Sequence, residues 1–190
     1  PAHPMTSRRA FLAGTATACG ALLLGGQALA GAEPSTAGRR APAPMRLLVL
    51  GGTGFIGPHL VRHAVGRGHH VTIFTRGRRQ AELPEGVVHL LGDRNGQLQA
   101  LEGKTWDAVI DDSATDPQWV RMSTELLRGA VGQYLFTSST GVFYPYLRRG
   151  LSEADPVGLE VTDPEDGSES FGVRKAQCER VTQDAFGDRA

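Results

Sequence analysis

The chain has 190 residues, with 20 basic and 20 acidic side chains and a formal net charge of zero. That length allows one domain, and the balanced charge gives no support to broad electrostatic capture of nucleic acid. Cys19 and Cys178 are the only cysteines, so a disulfide scaffold is excluded, while 40% hydrophobic residues suffice for a globular core. Lysine occurs only at Lys104 and Lys175, against 18 arginines. The 25 glycines make glycine position more informative than glycine number. Pro1 stands first, and Met5 is the expected start, so the sequence reads as a fragment or a translated frame.

Residues 1–30 are expected to be a signal peptide with a few residues upstream of it. Arg8 and Arg9 form a charged head, Phe11 to Leu24 is mildly apolar, and Ala28-Leu29-Ala30 fits a small-x-small cleavage site. The apolar run is too short and weak for a membrane span, which takes about 20 strongly apolar residues. Cleavage is thus expected to leave no stable span. Ser7-Arg8-Arg9-Ala10-Phe11-Leu12 resembles a twin-arginine export signal. That resemblance implies a periplasmic or extracellular location and folding before export. An ordinary secretory signal is the alternative. A lipoprotein signal through Cys19 is weaker, because Ala16 stands where a large aliphatic residue belongs. Residues 31–44 are rich in Pro, Ala and Gly and read as a flexible linker. From Met45 onward, 16 basic and 19 acidic residues leave a net charge of −3.

Met45 to Leu50 is an unbroken apolar run, as in a parallel strand buried on both faces. The turn Gly51-Gly52-Thr53-Gly54-Phe55-Ile56-Gly57 follows, then Leu60, Val61, Ala64 and Val65 at helical spacing, then a strand over His70 to Thr75. Gly51 permits a tight exit from the strand, Gly54 lets a pyrophosphate approach the backbone, and Gly57 allows close helix–strand packing. The helix N-terminus would present free N–H groups to the phosphates. Thr75-Arg76-Gly77-Arg78-Arg79 ends the second strand with three arginines and no carboxylate, which favours the 2′-phosphate of NADP over the ribose hydroxyl of NAD. Further strands are expected over Val87 to Leu91, Ala108 to Asp111 (introduced by Trp106-Asp107) and Gln133 to Thr137, with a helix over Val120 to Leu127 after Pro117. The alternation predicts an α/β, Rossmann-type doubly wound parallel sheet over residues 45–190.

With GGTGFIG at 51–57, Gly92-Asp93, FTSSTGVF at 136–143 and FGVRK at 171–175, the chain resembles the extended or atypical short-chain dehydrogenase/reductases of the NAD-dependent epimerase/dehydratase superfamily. The resemblance runs from about Met45 to the end. It implies cofactor contacts from Gly51, Thr53, Gly54, Phe55, Ile56, Gly57, Arg76, Asp93 and Lys175, with Asp93 facing the adenine. It implies a catalytic Ser or Thr after the fifth strand. Ser139 fits best, three positions before Val142, with Ser138 and Thr140 as substitutes. It further implies a continuation into a sixth strand and a substrate-binding lobe, so the domain is expected to be incomplete and truncated before that lobe. Cut there, the sheet would expose a strand edge and be poorly soluble.

The family's chemistry uses Tyr-x-x-x-Lys, one helical turn apart. The lysine holds the nicotinamide ribose and favours the tyrosine phenolate, and the tyrosine exchanges a proton with substrate. Here Phe171 occupies the tyrosine position and Lys175 the lysine position. Three readings stay open: binding without ordinary catalysis, a proton from Tyr144 or Tyr146, or different chemistry. The catalytic candidates are Ser139 and Lys175. NADP is the expected cofactor, with NAD the alternative, and a hydroxyl-bearing small molecule, such as a nucleotide sugar, is the expected substrate. No nucleic-acid partner is expected.

His59 and His63 have metal-ligand spacing without an evident third ligand, so no metal is expected. Adjacent strand residues Asp111 and Asp112 point to opposite faces, so one would line the cleft and the other cap the next segment. Cys178 reads as a packed small side chain, and the polar stretch 144–170 as a substrate-facing loop.

Overall fold

Leu47, Leu48, Val49 and Leu50 are all buried, because their strand is covered on both faces. Alternation divides them. Leu47 and Val49 join Val61, Ala64, Val71, Ile73 and Ala108 on one face of the sheet. Leu48 and Leu50 join Phe74, Val109, Leu127, Tyr134 and Phe186 on the other. The computed structural model describes residues 43–147 and 149–190. The expected signal peptide, and the linker up to residue 42, lie outside them.

Five parallel strands, β1 Arg46–Leu50, β2 His70–Thr75, β3 Val88–Leu91, β4 Trp106–Asp111 and β5 Val131–Phe136, stand in the order β3-β2-β1-β4-β5. This is the expected Rossmann-type sheet. The expected strands differ from these mainly at their ends, where ladders fray. β4 takes in Trp106 and Asp107, and β5 starts two residues before Gln133. Gly132 hides that start, since glycine reads as a turn. In the sheet it is required by space, because a Cβ there would lie 2.7 Å from the carbonyl of Asp107.

Helix α1, Gly57–Gly66, covers the first face through Val61 and Ala64. Helices α2, Pro117–Leu127, and α3, Gly167–Phe186, cover the second through Leu127 and Phe186. Asp116 caps α2 by accepting the Gln118 N–H at 2.8 Å, with Pro117 in the first turn. Asp166 caps α3 by accepting from Ser168 and Glu169. The regular alternation of strand and helix fails around β3. No helix joins β2 to β3, where Pro84 and the positive φ of Gly77 and Gly86 (70° and 83°) interrupt the chain. A single 3-10 turn, Gln99–Leu101, lies between β3 and β4. Leu83 on one face, and Leu98 and Leu101 on the other, supply apolar cover instead.

The strand order reverses between β1 and β4, so a crevice opens at their carboxyl ends. Gly57 sets how closely α1 approaches it. A Cβ on Gly57 would collide with the backbone of Gly52, which is itself at φ 93° with Ile73 beneath it. Backbone cannot yield as a flexible side chain does. Gly57→Ala is therefore expected to cost about 2 kcal/mol. Gly54→Ala, whose Cβ would meet open space, should change stability by less than about 0.5 kcal/mol. Urea unfolding of the two variants measures the difference.

Candidate functional site

A cavity of about 470 Å³ occupies the crevice. Gly51, Thr53 and Gly54 line it from the turn after β1, Thr75 to Arg79 from the end of β2, Gly92 to Arg94 from the end of β3, and Ser113 and Trp119 from beyond β4. Gly51 takes φ 118°, and Ser113 Oγ donates to the Leu50 carbonyl at 3.2 Å beneath it. No side chain caps α1, whose N-cap residue is Ile56. A turn of open backbone leading into an uncapped helix fits phosphate. Nothing lies within 4 Å of the place a Cβ on Gly54 would take, so a phosphate can approach the backbone there.

Of the residues selected from sequence, Gly51, Thr53, Gly54, Arg76 and Asp93 line this cavity. Phe55 and Ile56 do not. Phe55 is 93% exposed, and Ile56 lines a separate groove on the α1 face with His59 and His63. Gly57 acts beneath the turn, against Gly52. Arg76, Arg78 and Arg79 are exposed and make no hydrogen bond or ion pair among the described residues. Among those residues no group of three or more His, Cys, Asp or Glu is placed to hold a metal ion.

Behind the cavity lies a buried ionic cluster that sequence reading missed. Arg94 donates to both oxygens of Asp111 at 2.6 Å each, and also to Ser123 Oγ at 3.3 and 3.2 Å. Tyr134 donates its hydroxyl to Asp111 at 2.7 Å. Asp111 is fully buried, so it does not line the cleft, but it accepts the Ser113 N–H at 3.5 Å at the start of the next segment. Burial opposes charge on Arg94, but Asp111 beside it outweighs this and holds the guanidinium above its ordinary value. Burial, then Asp111, pushes the Tyr134 phenol well above its ordinary value. Burial, and after it the Asp111 charge, also raises Asp112. The one legible signal was Arg94 itself, a cation directly after the Gly92-Asp93 pair.

A second corner gathers the residues of the expected proton relay. A Cβ on Gly172 would collide with the Gly141 carbonyl, so α3 rests directly on the 3-10 turn Thr140–Phe143. Phe171 lies against Gly141. Ser139 Oγ accepts the Gly141 N–H at 3.1 Å and caps that turn. Lys175, 5% exposed, donates to the carbonyls of Thr137 at 2.6 Å and Ala114 at 3.0 Å, over the Phe136 ring. Burial lowers its pKa. Tyr144 bonds to Asp166, which raises the phenol pKa and directs its hydroxyl to a helix cap. Ser138 Oγ is buried with no hydrogen-bond partner among the described residues, beside another cavity of about 440 Å³ on the flank of α3. Cys178 is fully buried, and burial pushes its thiol up to about 11.

The stretch 144–170, expected over the substrate, lies along α3. Glu169 accepts from the Thr162 N–H, the Thr162 hydroxyl and the Asp163 N–H, and Gln177 donates to the Leu159 carbonyl. Val157 and Leu159 line the flank cavity, and no described residue of the stretch lines the crevice.

Two outcomes follow. Arg94→Met should cost about 3–5 kcal/mol by stranding the Asp111 charge, with part of the loss recovered in Arg94→Met/Asp111→Leu. Thermal or urea unfolding reads both. The second concerns pH. The Tyr144 bond holds Asp166 below the ordinary carboxylate range, and the Thr162 bonds do the same for Glu169. Their contribution is thus complete above the unfolded carboxylate range and is lost as pH falls through the lowered folded values. The amide resonances of Thr162 and Asp163 should shift in one acid step, absent in Glu169→Gln.

Residues 47–185 match the NAD dependent epimerase/dehydratase family. The chain is 32% identical over 119 residues to the chloroplast stem-loop binding protein of 41 kDa b of Arabidopsis thaliana, covering 54% of this chain and 31% of that protein. It is 29% identical over 147 residues to 2′-dehydrokanamycin reductase of Streptomyces kanamyceticus, covering 76% and 39%. Among solved structures, the Bordetella bronchiseptica enzyme WbmG in complex with NAD superposes with a TM-score of 0.60 at 17% identity, over 75% of this chain and 50% of that one. MoeE5 in complex with UDP-glucose and NAD gives 0.55 at 25%, over 75% and 50%. The chain therefore spans under two fifths of these curated relatives and half of these solved chains. With a parallel sheet in this order and a family match over most of its described residues, the chain belongs to the NAD dependent epimerase/dehydratase family.

Proposed function

We propose that this chain is the nucleotide-binding part of an NADP-dependent oxidoreductase acting at a hydroxyl-bearing carbon of a small molecule, such as a nucleotide sugar. The observation that carries it is the cavity itself. The glycine turn lies on one side, and three uncommitted arginines lie at the end of β2. In this reading Gly51, Thr53 and Gly54 hold the pyrophosphate, Asp93 the adenosine, and Arg76, Arg78 and Arg79 the 2′-phosphate. Lys175 is the family's ribose contact, but here it is buried outside the cavity lining and bonded to two carbonyls, which leaves one N–H for that role. When bound, the nicotinamide supplies hydride transfer. MoeE5, with its UDP-glucose, supports the sugar-nucleotide substrate class.

Phe171 favours a second reading, binding without turnover. General acid–base catalysis contributes about 10²–10⁴-fold, and phenylalanine has no proton to exchange. Tyr144 is engaged with Asp166 and is a weakened acid, which makes it a poor substitute. Ser139 keeps a hydroxyl proton to donate, since its oxygen only accepts from Gly141. The chain is further proposed to be exported, on the strength of the Arg8-Arg9 motif. Arg8→Lys/Arg9→Lys should then retain the protein in the cytoplasm of a host with a twin-arginine pathway.

Fluorescence titration with NADPH and NADH tests the binding. Preference for NADPH is expected, preference for NADH removes the arginine argument, and failure of both overturns the proposal. Turnover with UDP-glucose then separates the readings. Phe171→Tyr should raise it by about 10²-fold or more if the protein is a slow enzyme, and it should stay nil in both proteins if the chain only binds.

A further inference from the structure

We propose that Trp119 is the base-stacking residue of the crevice and determines its selectivity for a nucleotide carrying a planar base. This rests on the dinucleotide reading and names a residue that the family pattern does not. The cavity lining holds two chemically distinct sets of side chains. Arg76, Arg78 and Arg79 carry free charge. Arg94 and Trp119 line it as well, joined through Ser123, and Arg94 is not a free cation. Its Nε, Nη1 and Nη2 all donate within the protein, to Asp111 and Ser123, and only 8% of the residue is exposed. Asp111 offsets its charge, so Arg94 makes no phosphate clamp. What Arg94 and Trp119 offer is flat surface, an ion-paired guanidinium and an indole, and flat surface of that kind accepts a heterocyclic base.

The backbone of Trp119 is also held in place. Ser123 Oγ, which accepts from Arg94, donates to the Trp119 carbonyl at 2.8 Å. The turn of α2 that carries the indole is thereby fastened to the buried ion pair. A backbone fixed before binding leaves only the indole's own rotation to be ordered on stacking.

The experiment uses the full chain, with AMP as the base-bearing probe and ribose 5-phosphate as the base-free one. Trp106, the other tryptophan, is buried in the core away from the cavity lining, so a quench on ligand binding reports on Trp119 while Trp106 emission persists. AMP should quench the wild-type protein. Trp119→Phe should bind AMP within about threefold by calorimetry but lose the quench. Trp119→Ala should bind AMP about tenfold or more weakly, with ribose 5-phosphate unaffected. Wild-type affinity for AMP in Trp119→Ala, equal weakening of both probes, or a persisting quench in Trp119→Phe would overturn the inference alone. A wild-type protein that binds neither AMP nor NADPH would instead overturn the dinucleotide reading beneath it. Should Trp119→Ala fail to fold, the quench in Trp119→Phe decides.

Discussion

Arg94 and Asp111 form a two-pronged ion pair inside the protein, and the carboxyl edge of the sheet is organised around it. Four segments meet there: the loop after β3 through Arg94, the end of β4 through Asp111, β5 through Tyr134 and α2 through Ser123. Two charges removed from water are tolerated only when each is fully matched. Asp111 accepts three bonds to its two oxygens from these partners, and Arg94 spends its donors on two acceptors. The pair thus demands one relative placement of those segments. Asp93, next in sequence to Arg94, inherits a fixed position from it. Just past the ends of the same strands, Lys175 repeats the device with neutral acceptors, joining the backbone beyond β4 to the backbone beyond β5.

The consequence is a site whose two parts differ in readiness. In the crevice, polar groups that could meet a nucleotide are left open: the glycine turn, the uncapped start of α1 and the arginine segment. In the corner under α3, most polar groups are already satisfied. Lys175 is taken by carbonyls, Ser139 caps a turn and Tyr144 is tied to Asp166. Phe171 lies beside them against Gly141. The crevice and this corner are built by different elements.

Acidic residues contribute through capping rather than through a shared field. Asp116 and Asp166 each satisfy N–H groups at a helix start, and Glu169 gathers three donors from the strap that precedes α3. Carboxylates that look in sequence like a substrate-facing surface are thus largely spent on holding the backbone. Phe55 and Ile56 belong to the glycine motif by position, and their side chains lie away from the cavity, so a phosphate contact from them falls to their backbone N–H groups.

The strands, the glycine turn, α1 and the spacing of Phe171 and Lys175 were legible in the sequence, because each is encoded by residues adjacent along the chain or one helical turn apart. Periodicity and turn chemistry act over that range. The missing helices around β3 escaped because strand alternation was extended across a segment that Pro84 and two glycines interrupt. Tertiary structure alone decided that Arg94 would meet Asp111, 17 residues away, and that Lys175 would reach Ala114, 61 residues away. It alone brought Trp119 to the cavity. Those meetings depend on strand order and register, which place distant residues side by side, and no local pattern records which buried charge will find which partner.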